Sequence, residues 1–387
     1  MKAKDMVVFA EDWHGLPSST QHLIQHLAQE RKVIWVNSIG LRKVGLNLTD
    51  MRRLWHKLRA LLKPNVNTQG AFSKTCPTNM AVMNVLAIPL PSFMWLRHLN
   101  AKLIAFQVKH KCQQHGVFKP LLWLSLPSAV DLIGHLNEHK VVYYCGDDFA
   151  SLAGVDHNIV PQRERALLQQ SDLVVSASHF LTAKHQFSCK ATCHTLVHGV
   201  DFELFIRSQP RPSDLPQDER PIAGFYGSIE KWLNIELLIA VAKALPYWHF
   251  VFIGHVKTEV TQLAQLSNVH LLGEKNHRAL PQYSQHWTAS LLPFVYNRQI
   301  QACNPLKLSE YFAAGSPIIS TQFNAALRHK STGLVQFASD TASFIEALLA
   351  AEHLKQWPAL KPAMQQQVAK QTWQHQADTL NLWLEAL

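Results

Sequence analysis

Lys307 and Glu310 stand three residues apart in the stretch NPLKLSEYFAAGSPIIST, residues 304–321. On a helix that spacing puts an amine and a carboxylate on one face, within its first two turns. Asn304 and Pro305 supply the start: asparagine caps the first N–H groups, and proline at the first helical position lacks a donor that would go unpaired anyway. Gly315 supplies the stop, Ser316-Pro317 forbids continuation, and 317–321 reads as a buried strand. A helix start exposes unpaired N–H groups and the positive end of the dipole, so a lysine beside it makes a pocket for phosphate or pyrophosphate. A carboxylate one turn deeper can accept hydrogen bonds from vicinal hydroxyls such as those of a ribose. The combination reads as a nucleotide cradle. The same spacing also suits a plain ion pair on a surface helix.

The elements that must carry this cradle are legible along the chain. Short apolar runs alternate with helical patterns: strands are expected at 6–10, 32–37, 80–88, 120–126, 140–146, 172–178 and 192–198, with a first helix over 20–30. That alternation is the pattern of a parallel sheet covered by helices. Between 206 and 221 the sequence IRSQPRPSDLPQDERP loses periodicity and carries four prolines, which marks a linker. A second series of the same kind follows, with strands in IAGFYGS, WHFVFIG, VHLLG, ASLLPF and PIIST. The expected organisation is an N-terminal domain at 1–205, the linker, a C-terminal domain at 222–365, and a last helix over 366–387 packing back on the core. Open parallel sheets bind ligands at the carboxyl ends of their strands, which puts the site in a cleft between two such halves.

Composition narrows the classes. The 387 residues exceed one ordinary core, and 47% apolar with 17% charged residues is a globular composition, not a disordered one. The net charge of +10 favours an anionic partner: a nucleotide, a nucleic acid or an anionic membrane. Nucleic acid is set aside because no recognition module is present and the aromatics fall inside apolar runs. The basic N-terminus has too short an apolar run for a signal peptide, and no run is long enough to span a bilayer, so the chain is expected in the cytoplasm. Six scattered cysteines read as reduced thiols.

In this order of elements, FYGSIEKWLNIELLIAVA, HFVFIG, NVHLLGEKNHRALPQYSQHWTASLLPF and NPLKLSEYFAAGSPIIST resemble the C-terminal half of GT-B fold glycosyltransferases, in particular the bacterial family-4-like enzymes of surface polysaccharide synthesis. LVHGVDFELF is similar to the element that precedes their interdomain linker. The resemblance implies an α/β fold of two Rossmann-like domains facing across a cleft and a metal-independent hexosyltransferase that draws on a UDP- or GDP-linked sugar as co-substrate, with no cofactor and no metal ligands. It implies that Glu310 holds the ribose, that Lys307 and the Asn304 helix start hold the diphosphate with Gly227, Ser228 and Lys231, and that the Glu274 segment LGEKN faces the nucleobase. Relatives often carry a further glutamate seven residues before the ribose glutamate; here that position is Cys303, which leaves the stereochemical outcome open. A nucleotide-sugar 2-epimerase and a non-catalytic membrane-associated partner share the same architecture.

A transferase also needs a base for the acceptor hydroxyl. Asp12 and His14 in EDWHGLPSS, just after the first strand, are the candidates, and Gly15 allows close backbone approach to the donor. Both side chains would equally serve as caps of the following helix. MRRLWHKLRALLKP at 51–64 combines apolar residues at helical spacing with five basic residues, the pattern of a helix lying on an anionic membrane face, and 93–111 is a second candidate. Both suit a saccharide acceptor linked to lipid. Cys189, Cys193, His194 and His198 offer enough ligands for zinc, but with no finger spacing and with side chains alternating along a strand. Asp147-Asp148 reads as a loop-capping pair.

Overall fold

A computed structural model describes residues 4–15, 17–38, 76–87, 93–152 and 155–387. The basic stretch 51–64 lies outside the described residues. The chain divides into two compact units, 1–196 with 377–387, and 197–376. The division falls before the proline-rich segment 206–221, which belongs to the second unit. The final helix, Trp373–Glu385, begins in the second unit and ends in the first, where the Arg31 guanidinium donates to Asn381 and His194 stacks on Trp383 at 4.5 Å.

The first unit is built on a parallel sheet of seven strands: β1 (Met6–Phe9), β2 (Val33–Val36), β3 (Met80–Met83), β4 (Leu121–Leu124), β5 (Lys140–Cys145), β6 (Leu173–Ser176) and β7 (Cys193–Thr195). Their spatial order is β3-β2-β1-β4-β5-β6-β7. In the second unit β8 (Ile222–Tyr226), β9 (His249–Ile253), β10 (Val269–Leu271), β11 (Ala289–Leu292), β12 (Ile318–Ser320) and β13 (Val335–Phe337) run in the order β10-β9-β8-β11-β12-β13. Each sheet therefore starts in its middle, runs outward to one edge, then returns to continue on the other side, the doubly wound arrangement. Ile222–Tyr226 and His249–Ile253 are buried at every residue, because helices cover both faces of the sheet. Five tryptophans, Trp13, Trp35, Trp123, Trp248 and Trp287, are wholly enclosed and fill the space between layers.

Helix ends follow side-chain chemistry. Ser18 caps Ser19–Leu27 by accepting from the Gln21 amide, Asn234 caps Ile235–Ala244 by accepting from Leu237, and Asp340 forms a reciprocal box with Ser343 at the start of Thr341–Lys355. The strand expected over 80–88 pairs only at Met80–Met83, where it runs along β2. The strand β13 has no counterpart in the expected set. It is three residues long, lies at the sheet edge, and carries Gln336 at its centre, so it shows no apolar run.

Candidate functional site

In the second unit the strand order reverses between β8 and β11, so the loops leaving these strands flank the position where such sheets bind ligands. Gly227 follows β8. Its amide donates to the Ile253 carbonyl at 2.8 Å, and its φ of +127° is accessible to glycine and strained for other residues. Lys307, from the helix Leu306–Ala314, lies directly over it: a Cβ on Gly227 would stand 2.6 Å from the lysine Nζ. The ammonium also faces the rings of Phe225 and Phe294, at 4.7 and 5.6 Å from their centres. Burial pulls the Lys307 pKa down to about 8, against the opposing pull of Glu310 and Cys303.

Glu310 sits one turn further along the same helix and is 7% exposed. His277 Nε2 pairs with its Oε1 at 2.8 Å, and His277 Nδ1 lies 3.5 Å from Asp201. The imidazole thus stands between two carboxylates and fixes the one on the helix. Tyr226, the last residue of β8, is enclosed beside Glu310, and burial followed by that carboxylate pushes its phenol pKa far up. His198 is enclosed against the Asn304 backbone, and burial pulls its pKa down to about 4. His277 and Asp201 were not singled out from the sequence. The usable signal is Asn276, which accepts from the Arg278 amide and so sets the short turn His277–Ala279 that presents the imidazole.

The helix start differs from expectation by one residue. The first helical residue is Leu306, and Pro305, with extended ψ of 128°, holds the flanking position, leaving Asn304 outside the cap. Pro305 itself keeps an extended backbone, so helical geometry begins at Leu306 and Asn304 falls one residue before the cap. Gly315 ends the helix in the left-handed region, φ +79°, as expected. Gly227, Lys307 and Glu310 therefore converge, with Ser228 next in the same loop. Lys231 and Glu274 are exposed and take no part in the Lys307–Gly227 or Glu310–His277 contacts.

In the first unit, Asp12 and His14 leave the carboxyl end of β1, which borders the switch between β1 and β4. Trp13 between them is wholly buried against Trp35, at 5.0 Å, and this anchor leaves its two neighbours exposed. The Asp12 carboxylate accepts from the Ser38 amide at 3.2 Å. Its carbonyl accepts from the amide of Gly15 at 2.8 Å, closing the turn. Of the pair after β5, Asp148 is buried and bound by Lys184 at 2.7 Å and Ser151 at 2.8 Å, a structural role. Asp147 stays open to solvent, yet the surrounding protein and the adjacent Asp148 push its carboxyl up to about 6. Cys193 lies beside the Cys189 thiol, and His194 stacks on Trp383.

Known proteins share this architecture. Residues 220–352 match the family described as glycosyl transferases group 1. A protein of Bacillus subtilis (strain 168) named as a candidate teichuronic acid biosynthesis glycosyltransferase, TuaH, is 27% identical over 217 residues, which is 52% of this chain and 55% of that protein. The match thus spans about half the length of this relative. Over nearly the whole chain the fold is that of Anabaena HepE, solved with UDP and glucose, at a TM-score of 0.70 and 13% identity, covering 99% of this chain and 100% of HepE. Sucrose-phosphate synthase from Thermosynechococcus elongatus superposes at a TM-score of 0.71 with 16% identity, over 99% of this chain and 98% of the synthase. The expected GT-B fold is borne out.

Proposed function

We propose that this GT-B chain, with a glycosyl transferases group 1 domain at residues 220–352, moves a sugar from a nucleoside diphosphate sugar to a saccharide acceptor, in the synthesis of a surface polysaccharide. The observation that carries the reading is the joint placement of Lys307 over Gly227 and of Glu310 held by His277 on the next turn of one helix. A diphosphate set against Gly227 would meet the ammonium and the free N–H groups of the helix start, and a ribose one turn on would meet the carboxylate. As the sugar leaves, negative charge grows on the departing diphosphate, and the lysine and helix start stabilise it there without a bound metal. UDP with glucose in HepE supports a UDP-linked donor. Ser228, Lys231, Asn304 and Glu274 belong to the same donor reading, Glu274 toward the base. We assign acceptor activation to the first unit, to Asp12 with His14 adjoining, and Gly15 to the donor's approach.

The acceptor in this reading is lipid-linked. On the helix Met94–His115, Trp95, Leu99, Leu103 and Phe106 form an exposed apolar stripe with Lys102 and Lys109 exposed on the same helix. Apolar residues flanked by cations suit the interface of an anionic membrane. No helix among the described residues is long and apolar enough to cross a bilayer. Thermal shift with UDP-, GDP-, ADP- and dTDP-sugars, repeated on Glu310→Ala, tests the donor assignment: one nucleotide class raises the wild-type melting temperature and loses that effect in the variant. No shift with any of them defeats it. Product analysis with and without acceptor separates transfer from 2-epimerisation, which consumes donor alone.

A further inference from the structure

Away from the donor site, three ligand-type side chains meet inside the first unit. Cys145 ends β5, Glu164 lies on the helix Ile159–Gln170, and His185 ends the helix His179–His185. Cys145 Sγ is 3.7 Å from Glu164 Oε1 and 3.7 Å from His185 Nε2, and Nε2 is 3.7 Å from Oε1. The three atoms form an equilateral triangle, and the Glu164 and His185 side chains are only 5% and 3% exposed. The geometry points to a zinc site at this triangle, with the thiolate of Cys145, the carboxylate of Glu164 and the imidazole of His185 as ligands.

The dimensions support it. A tetrahedral ion over three atoms spaced 3.7 Å apart sits about 2.3 Å from each, against about 2.3 Å for zinc to sulfur and about 2.0–2.2 Å for zinc to nitrogen or oxygen. The mixed sulfur, nitrogen and oxygen set is one that zinc accepts. Outer contacts of the kind that orient metal ligands are present: the Tyr143 hydroxyl donates to Glu164 Oε1 at 2.9 Å, and Lys184 Nζ lies 3.6 Å from Oε2 and 2.7 Å from Asp148.

The ligand charges also suit the ion: binding displaces the thiol proton of Cys145 to solvent, so a dication meets the Cys145 thiolate and the Glu164 carboxylate. The proposal is independent of the donor reading, since every residue in it belongs to the first unit.

The test uses the full chain carrying Cys189→Ser and Cys193→Ser, which removes the other adjacent thiols. Zinc is measured by elemental analysis, and cobalt is added after chelator treatment. About one equivalent of zinc, a thiolate-to-cobalt absorption band, and release of one proton per metal are expected. Cys145→Ser abolishes the band, and Tyr143→Phe weakens zinc roughly 10- to 100-fold by loosening the carboxylate. Chelator lowers the melting temperature of the parent and leaves Cys145→Ser unmoved. A folded parent that gives no cobalt band, and whose melting temperature ignores both chelator and zinc, overturns the site and leaves a hydrogen-bonded network. That outcome is read on the parent alone, so a poorly folding variant does not obscure it.

Discussion

The two units share one winding but differ in how their polar groups are gathered. In the second, the groups offered to a ligand come from one helix and one glycine loop: Lys307 and Glu310 are successive-turn neighbours, and Gly227 lies under the lysine. In the first, each polar cluster is assembled from distant segments. Tyr143, Glu164 and Lys184 come from a strand and two helices, and the turn at Asp12 is held by Ser38 and by the buried Trp13. Lys307 and Glu310 therefore travel with one short motif, and Gly227 and the His277 clamp are brought to them. The other side depends on tertiary packing to bring its groups together.

The sharpest test of that contrast is the acceptor base, Asp12, whose carboxylate is held by the Ser38 amide where Lys307 and Glu310 share one helix. Asp12→Asn is expected to lower kcat by roughly 10²–10⁴-fold with donor Kd unchanged, the range for loss of a general base. A fully active Asp12→Asn would remove Asp12 as the base. On the donor side, Lys307→Ala is expected to cost roughly 10²–10³-fold in kcat, by analogy with loss of one donor at a developing anion. Unchanged turnover would remove the lysine from the departing diphosphate.

Glu310→Ala ranks next. Loss of charge-assisted hydrogen bonds to ribose hydroxyls weakens donor binding by about 1.5–3 kcal/mol in calorimetry. His277→Ala leaves the carboxylate in place without its clamp, and is expected to cost less than Glu310→Ala. Equal losses would mean that the imidazole itself holds the nucleoside.

The legible part of the molecule follows from this contrast. Parallel strands buried on both faces announce themselves as apolar runs, so twelve of the thirteen observed strands fall on expected segments and only the short edge strand β13 escapes. The helix with Lys307 and Glu310 was readable from spacing and its glycine stop, because both signals are local. The Asp201–His277–Glu310 chain was not, since it joins residues 76 and 33 positions apart whose meeting depends on how loops fold over the sheet. Asp147 looked like a turn residue because its raised carboxyl arises first from surrounding protein and only second from the adjacent Asp148. The Cys145–Glu164–His185 triangle is hidden for the same reason: no two of its members lie within one motif.

The mildest effect expected is on pH dependence, and it bears on Lys307 alone. Its pKa of about 8 lies below the ordinary lysine value because burial disfavours the ammonium, so the amine is half protonated near pH 8 with the site empty. A bound diphosphate favours the charged form and lifts the pKa. Below pH 8 the proton is already in place and donor affinity is flat. Above it, each binding event must take up a proton, and Kd rises by up to about tenfold per pH unit until the raised pKa of the complex is reached. The same depressed pKa makes the folded state bind fewer protons than the unfolded one between pH 8 and the ordinary lysine value, so this group's cost to stability is relieved as pH rises through that window. Calorimetry in buffers of different ionisation enthalpy reads the proton uptake directly. Lys307→Gln should bind more weakly with no pH dependence over this range, and a wild-type affinity that stays constant from pH 7 to beyond 9 would show that the ammonium does not face the donor's charge.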